Sequence, residues 1–204
     1  MNANQMNTGR GYWLAWFLAS LMGYGMGAVL GAAFAWGVFP TGTFDAVNGT
    51  ALGIVMGATG GYFQWVVLRE RIAGAGLWGL ASALGLGLAM GASAAANPAE
   101  NPAMAGVFMA FAFGAAGGIL QWLILRRKVP QAGWWLLANL LGSLFAAIAV
   151  PIAAALGDAG YEDLGVLAFG LVFGVGNGAI TGAALIWLLR QPSSGDMEGL
   201  ATAD

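Results

Sequence analysis

Neither cysteine nor histidine occurs among the 204 residues. Their absence excludes disulfides, thiolate chemistry, imidazole ligation of haem or chlorophyll, and a histidine proton shuttle. Charge is nearly as scarce. Only 8% of residues are charged, against about 25% in an ordinary soluble domain, too few to cover a water-facing surface. None of these charges falls inside the long apolar runs. Proton-coupled carriers place a titratable group there, so proton coupling is not expected. Sodium coupling through carbonyl and hydroxyl oxygens stays open. A zinc site needs His, Cys or clustered carboxylates. A serine nucleophile needs a base, and Ser20 shares its side only with Arg, Lys and Glu70. The sequence therefore predicts no enzyme, no catalytic residue, no metal and no cofactor.

What is abundant is apolar: 59% of the chain is hydrophobic. Six runs, at about 12–39, 50–68, 76–96, 103–125, 132–156 and 164–189, approach the roughly 20 residues that cross a bilayer. The first has Arg10 before it and Ala33-Phe34-Ala35 near its end, which imitates a signal-peptide cleavage pattern. Its length and its share in the repeat below make it a retained helix. Threading six helices through a membrane puts every cation (Arg10, Arg69, Arg71, Arg126, Arg127, Lys128, Arg190) on one side, and Asp45, Glu100, Asp158, Glu162 and Asp163 on the other. Cations stay cytoplasmic, so both termini are expected inside, in a multi-pass inner-membrane protein. Trp13, Trp16, Trp65, Trp78, Trp122, Trp134, Trp135 and Trp187 lie toward the basic ends and only Trp36 toward the other. That distribution reads as a headgroup-level aromatic belt.

The stretch GATGGYFQWVVLRER, beginning at Gly57, returns 57 places later as GAAGGILQWLILRRK, beginning at Gly114. Gly57, Gly60, Gly61, Gln64, Trp65, Leu68 and Arg69 thus match Gly114, Gly117, Gly118, Gln121, Trp122, Leu125 and Arg126. In the odd helices Trp16, Ala19, Ser20 and Gly23 match Trp78, Ala81, Ser82 and Gly85, then Trp135, Ala138, Asn139 and Gly142. The sixth helix is a worn copy: Gly174, Gly178, Thr181 and Leu185 keep the register, Gly182 stands where the Trp belongs, and Arg190 arrives late. The expected fold is an all-α integral membrane domain over residues 1–190. Its six transmembrane helices form three pseudo-repeated hairpins, at about 12–69, 76–126 and 132–190, followed by a flexible cytoplasmic tail, 191–204. The repeated G-x-x-G-G-x-x-Q-W-x-x-L-R phrase resembles that of a group of uncharacterised bacterial six-helix membrane proteins. The likeness runs from Trp16 to Arg190, departs in the sixth helix, and implies a topology but no activity.

Glycines spaced by four mark the inward faces: Gly23, Gly27 and Gly31; Gly53, Gly57 and Gly61; Gly114 and Gly118; Gly170, Gly174, Gly178 and Gly182. Small residues at this spacing let helix backbones approach in lipid. Ser20, Ser82, Asn139, Gln64, Gln121 and Thr181 share those faces and should point into the bundle. Two readings of this polar cluster compete, interhelical hydrogen-bonding and a path for a neutral solute. The first makes the protein a non-enzymatic accessory or scaffold subunit with a dry centre. The second makes it a small transporter or channel with a hydrated cavity reached from the cytoplasmic side. A weaker third is a pigment- or quinone-binding subunit. Partners are the lipid bilayer, another membrane protein or a second copy of the chain, not nucleic acid. Arg69, Arg126 and Arg190 read as topology anchors or lipid-headgroup contacts. The acidic group at Asp158, Glu162 and Asp163 reads as a solvated loop rather than a weak calcium site. NPAENPAM, residues 97–104, reads as a rigid loop, and Pro151 is expected to kink or end the fifth helix.

Overall fold

The computed structural model describes residues 3–40, 44–96 and 102–191. The predicted flexible tail therefore lies outside the described residues except for Gln191, and so does most of the predicted rigid loop. The described part is helical, with no strand: α1 (Ala3–Val38), α2 (Ala46–Leu68), a short 3-10 turn (Ala75–Leu77), α3 (Trp78–Ala95), α4 (Pro102–Leu125), α5 (Trp134–Ser143), α6 (Ala146–Asp158) and α7 (Glu162–Leu189). Six segments are long and apolar enough to cross a membrane, the fifth being α5 and α6 taken together (Trp134–Asp158). The chain is a multi-pass membrane protein.

Local chemistry sets the helix ends. Asp45 caps α2, its carboxylate accepting from the backbone N–H groups of Val47 and Asn48, both at 2.9 Å. Pro102 opens α4, where its missing N–H costs nothing. Gly160, at φ +83°, turns the chain out of α6. The Tyr161 N–H then reaches the Leu156 carbonyl and the Gly160 N–H that of Gly157, each at 2.8 Å. This double bond is the left-handed helix stop that glycine permits.

The fifth span departs from expectation. Pro151 does not end it; α6 runs through Pro151 to Asp158. The break comes earlier, at Leu144–Phe145. There the Ser143 hydroxyl donates back to the Asn139 carbonyl at 2.6 Å, a bond that competes with the helical ladder and bends it. The next amides revert to shorter turns, Ala147 N–H to Leu144 O and Ile148 N–H to Phe145 O. The Phe145 ring fills the space that a β-carbon on Gly176 would occupy.

The spans pack in chain order, α1 on α2, α2 on α3, α3 on α4, α4 on α5 and α6, and these on α7, which closes against α1. Neighbours are antiparallel. Gly23, Gly27 and Gly31 of α1 meet Gly60, Met56 and Leu52 of α2 in descending order. The ends of α2, α4 and α7 at Leu68, Leu125 and Leu189 therefore share one end of the bundle with the basic residues. Large side chains such as Leu18, Leu84, Leu88, Phe108, Phe111 and Ile148 face outward, as lipid allows.

Glycine makes the seams. A β-carbon on Gly23 would stand 2.8 Å from the Gly60 Cα, on Gly53 2.8 Å from the Gly87 Cα, and on Gly85 2.5 Å from the Gly117 Cα. Backbones that close gain dispersion contact, and little else draws apolar helices together in hydrocarbon.

Candidate functional site

All six residues of the polar cluster are buried, with Ser20 and Ser82 at 0% exposure and Gln121, the most exposed, at 2%. The structure gives five of them interhelical hydrogen bonds, in a chain that runs from α7 through α1, α2, α3 and α4 to α5. The Gln64 amide donates to the Ser20 hydroxyl at 3.0 Å while its carbonyl accepts the Trp78 indole N–H at 3.0 Å. One hairpin later the Gln121 amide donates to the Ser82 hydroxyl at 2.9 Å and its carbonyl accepts the Trp135 indole N–H at 3.1 Å. The Ser82 hydroxyl in turn donates a hydrogen bond to the Trp78 carbonyl at 3.0 Å. A glutamine suits the position because one amide end donates and the other accepts. Each glutamine thus ties its own hairpin to the next.

Thr181 begins the chain differently. Its hydroxyl accepts the Trp16 indole N–H at 3.0 Å and donates to the Asn177 carbonyl at 2.5 Å. It is too short to reach Asn139 as well, and Asn139 turns to its own helix, donating to the Trp135 carbonyl at 3.1 Å. The Asn177 side-chain nitrogen, one turn from Thr181, is left buried without a partner among the described residues.

The tryptophans divide. Trp16, Trp78 and Trp135 are not in a headgroup belt; they are buried at 0%, 0% and 1% exposure. Their rings meet edge to face, with centroids 5.9 Å apart for Trp16–Trp78, 6.1 Å for Trp16–Trp135 and 5.4 Å for Trp78–Trp135. This trio plugs the axis at the basic end, backed by Leu68, Leu125, Leu185 and Leu188. A signal was present in the sequence. Each of the three stands four residues before Ser20, Ser82 or Asn139, hence on the inward face. The partly exposed Trp65 and Trp122 instead carry Arg69 and Arg126 over their rings, at 5.2 Å and 5.1 Å from the centroids. Arg190, two turns beyond Gly182, has no such ring among the described residues; Trp13 and Trp16 occupy the space that a β-carbon on Gly182 would take. All three arginines are exposed, and the Arg190 guanidinium lies against Gly9.

The packing glycines also sit where neighbours press. Gly57 and Gly61 face Ser82, Gly114 faces Leu140, Gly118 faces Asn139, Gly174 faces Leu21 and Gly178 faces Ser20; Gly27 faces Met56.

Beyond this polar chain, away from the basic end, Tyr24, Phe113 and Phe173 form an aromatic layer, with Phe173 centred 5.0 Å from Tyr24 and 5.2 Å from Phe113. Past this layer, at the acidic end, the bundle opens into a cavity of about 1390 Å³. Its walls are mostly apolar and come from α1, α2, α3, α4, α6 and α7. Among the described residues no cluster of His, Cys, Asp or Glu could hold a metal ion. No protein-family model, curated protein or solved structure matches the chain.

Proposed function

We propose that this protein is a non-enzymatic scaffold or accessory subunit of the cytoplasmic membrane, built from three pseudo-equivalent hairpins with both termini and the basic loops on the cytoplasmic side. The observation that carries this reading is the hydrogen-bonded polar chain. Gln64, Gln121, Ser20, Ser82 and Thr181 bond to one another and to buried indoles, which leaves few groups to solvate a passing solute. The tryptophan trio supports it by filling the axis on the side where a solute pathway would need an entrance. The large cavity lies at the other end and is apolar. Exposed Leu, Phe and Ile around the whole bundle offer a broad face to lipid, to a partner helix or to a second copy, and Arg69 and Arg126, stacked on tryptophan, hold the headgroup level.

The reading is tested by paired measurements on the full chain. Proteoliposomes are expected to show no osmotic glycerol or urea flux above protein-free vesicles, and cross-linking in intact membranes is expected to trap one constant partner or homo-oligomer. Solute flux that Gln121→Leu diminishes would replace the scaffold by a transporter lined by the polar cluster.

A further inference from the structure

We propose that the cavity at the acidic end is a lipid-binding site that holds an acyl chain of a zwitterionic aminophospholipid, with the head amine at Asp158, Glu162 and Asp163. The proposal is independent of the scaffold reading.

Size is the first argument. Ligand pockets commonly run to roughly 300–1,000 Å³, and packed interiors leave few voids larger than a water molecule. A partly open space of about 1390 Å³, walled by several helices, is large enough for a lipid chain. The second argument is the lining. Ala28, Ala32, Ala105 and Ala153 make the walls wide and smooth, and Phe169 lies toward the floor. Away from the three carboxylates water would find few partners, because the Ser93 hydroxyl already donates across to the Ala105 carbonyl at 3.4 Å. A hydrocarbon chain loses nothing by entering.

The third argument is the packing of α6. Only its first turn is buried, at Ala146 and Ala149. Beyond that, Val150, Ala153 and Ala154 face the cavity. The break at Leu144–Phe145 redirects this half-span, and the cavity lies beside it. The fourth is charge. Asp158, Glu162 and Asp163 stand at the cavity, while all seven cations belong to the opposite end of the bundle. Carboxylates attract an amine head and repel an anionic one. The surrounding bilayer supplies such chains as solvent, which favours a membrane lipid over a soluble amphiphile.

The test uses the full chain in nanodiscs of equal phosphatidylethanolamine and phosphatidylglycerol, stripped of loosely held lipid and weighed by native mass spectrometry. Retained phosphatidylethanolamine is expected, preferred over phosphatidylglycerol by about tenfold, the ratio that ~1.4 kcal/mol of head-group attraction produces. Ala32→Phe and Ala153→Phe, made together, should reduce retention by narrowing the space between α1 and α6, with thermal unfolding as the check on folding. The combined Asp158→Asn, Glu162→Gln, Asp163→Asn variant should retain lipid but lose the preference. The proposal is overturned if the wild type retains no lipid, or retains phosphatidylglycerol equally well. It is also overturned if the folded double variant retains as much lipid as the wild type, if dodecyltrimethylammonium is retained in place of phospholipid, or if a second copy of the chain, without lipid, accounts for the added mass.

Discussion

An amide in the middle of a membrane bundle has two ends to satisfy, and Gln121 satisfies both on other helices. Gln121→Leu keeps much of the volume but leaves the Trp135 indole N–H buried and unpaired, which costs about 1–3 kcal/mol. The expected result is a lower unfolding temperature in detergent and altered tryptophan emission; unchanged values of both would mean that these bonds are not formed. Glycine gives the sharper contrast. A β-carbon on Gly174 would lie 3.0 Å from the Leu21 Cα, whereas one on Gly37 would meet nothing within 4 Å. Overpacking typically costs about 1–3 kcal/mol and more where backbone is struck, so Gly174→Leu should destabilise strongly and Gly37→Leu hardly at all. Equal stability of the two variants would place Gly174 on the wrong face. These inward faces were legible in the sequence because glycine at intervals of four and an amide in the same register have one economical explanation in lipid. The buried tryptophans were harder to see. A tryptophan near a helix end is at home at the interface too, and only its angle relative to Ser20, Ser82 or Asn139 separates the two cases.

At the scale of the element, the six spans were readable from length and apolarity alone, since hydrocarbon leaves the backbone little alternative to the helix. The break in the fifth span was not. Proline is the residue that sequence reasoning blames for a kink, yet Pro151 lies well inside α6, and lipid-embedded helices tolerate proline. The disruption comes from the Ser143 hydroxyl and from Phe145 leaning into the gap at Gly176. That pairing is made by residues far apart in the chain, so no local pattern announces it. Phe145→Ala is therefore expected to destabilise by about 2 kcal/mol, below the ~3–5 kcal/mol of a fully buried phenylalanine because this residue is only partly buried. Pro151→Ala should leave the break in place and unfold no earlier than the wild type. Hydrogen exchange around residues 144–147 reads the outcome. Slowed exchange there in Pro151→Ala, with no change in Phe145→Ala, would return the break to the proline.

For the whole molecule, the closing of α7 onto α1 decides what the repeat could and could not foretell. Two identical helices can each serve a neighbour on either side, but the last copy must seal the ring. It does so with Gly170, Gly174, Gly178 and Gly182 pressed against α1, so the loss of its tryptophan, which reads as decay in the sequence, makes room for Trp13 and Trp16. The cavity at the acidic end escaped sequence reading for a different reason: an alanine looks the same in a seam and in the wall of a void. Orientation is the remaining property of the assembled molecule, and it rests on charge alone. Crossing the bilayer with a basic loop is costly, and the cations cluster at one end of the bundle. The chain contains no cysteine, so single cysteines report cleanly. Arg71→Cys and Arg127→Cys are exposed at the basic end, and Asp158→Cys and Glu162→Cys at the other. In intact cells a membrane-impermeant maleimide should label the second pair and spare the first, and permeabilised cells should label all four. Labelling of Arg71→Cys or Arg127→Cys from outside would invert the topology, and with it the side of the membrane on which the cavity opens.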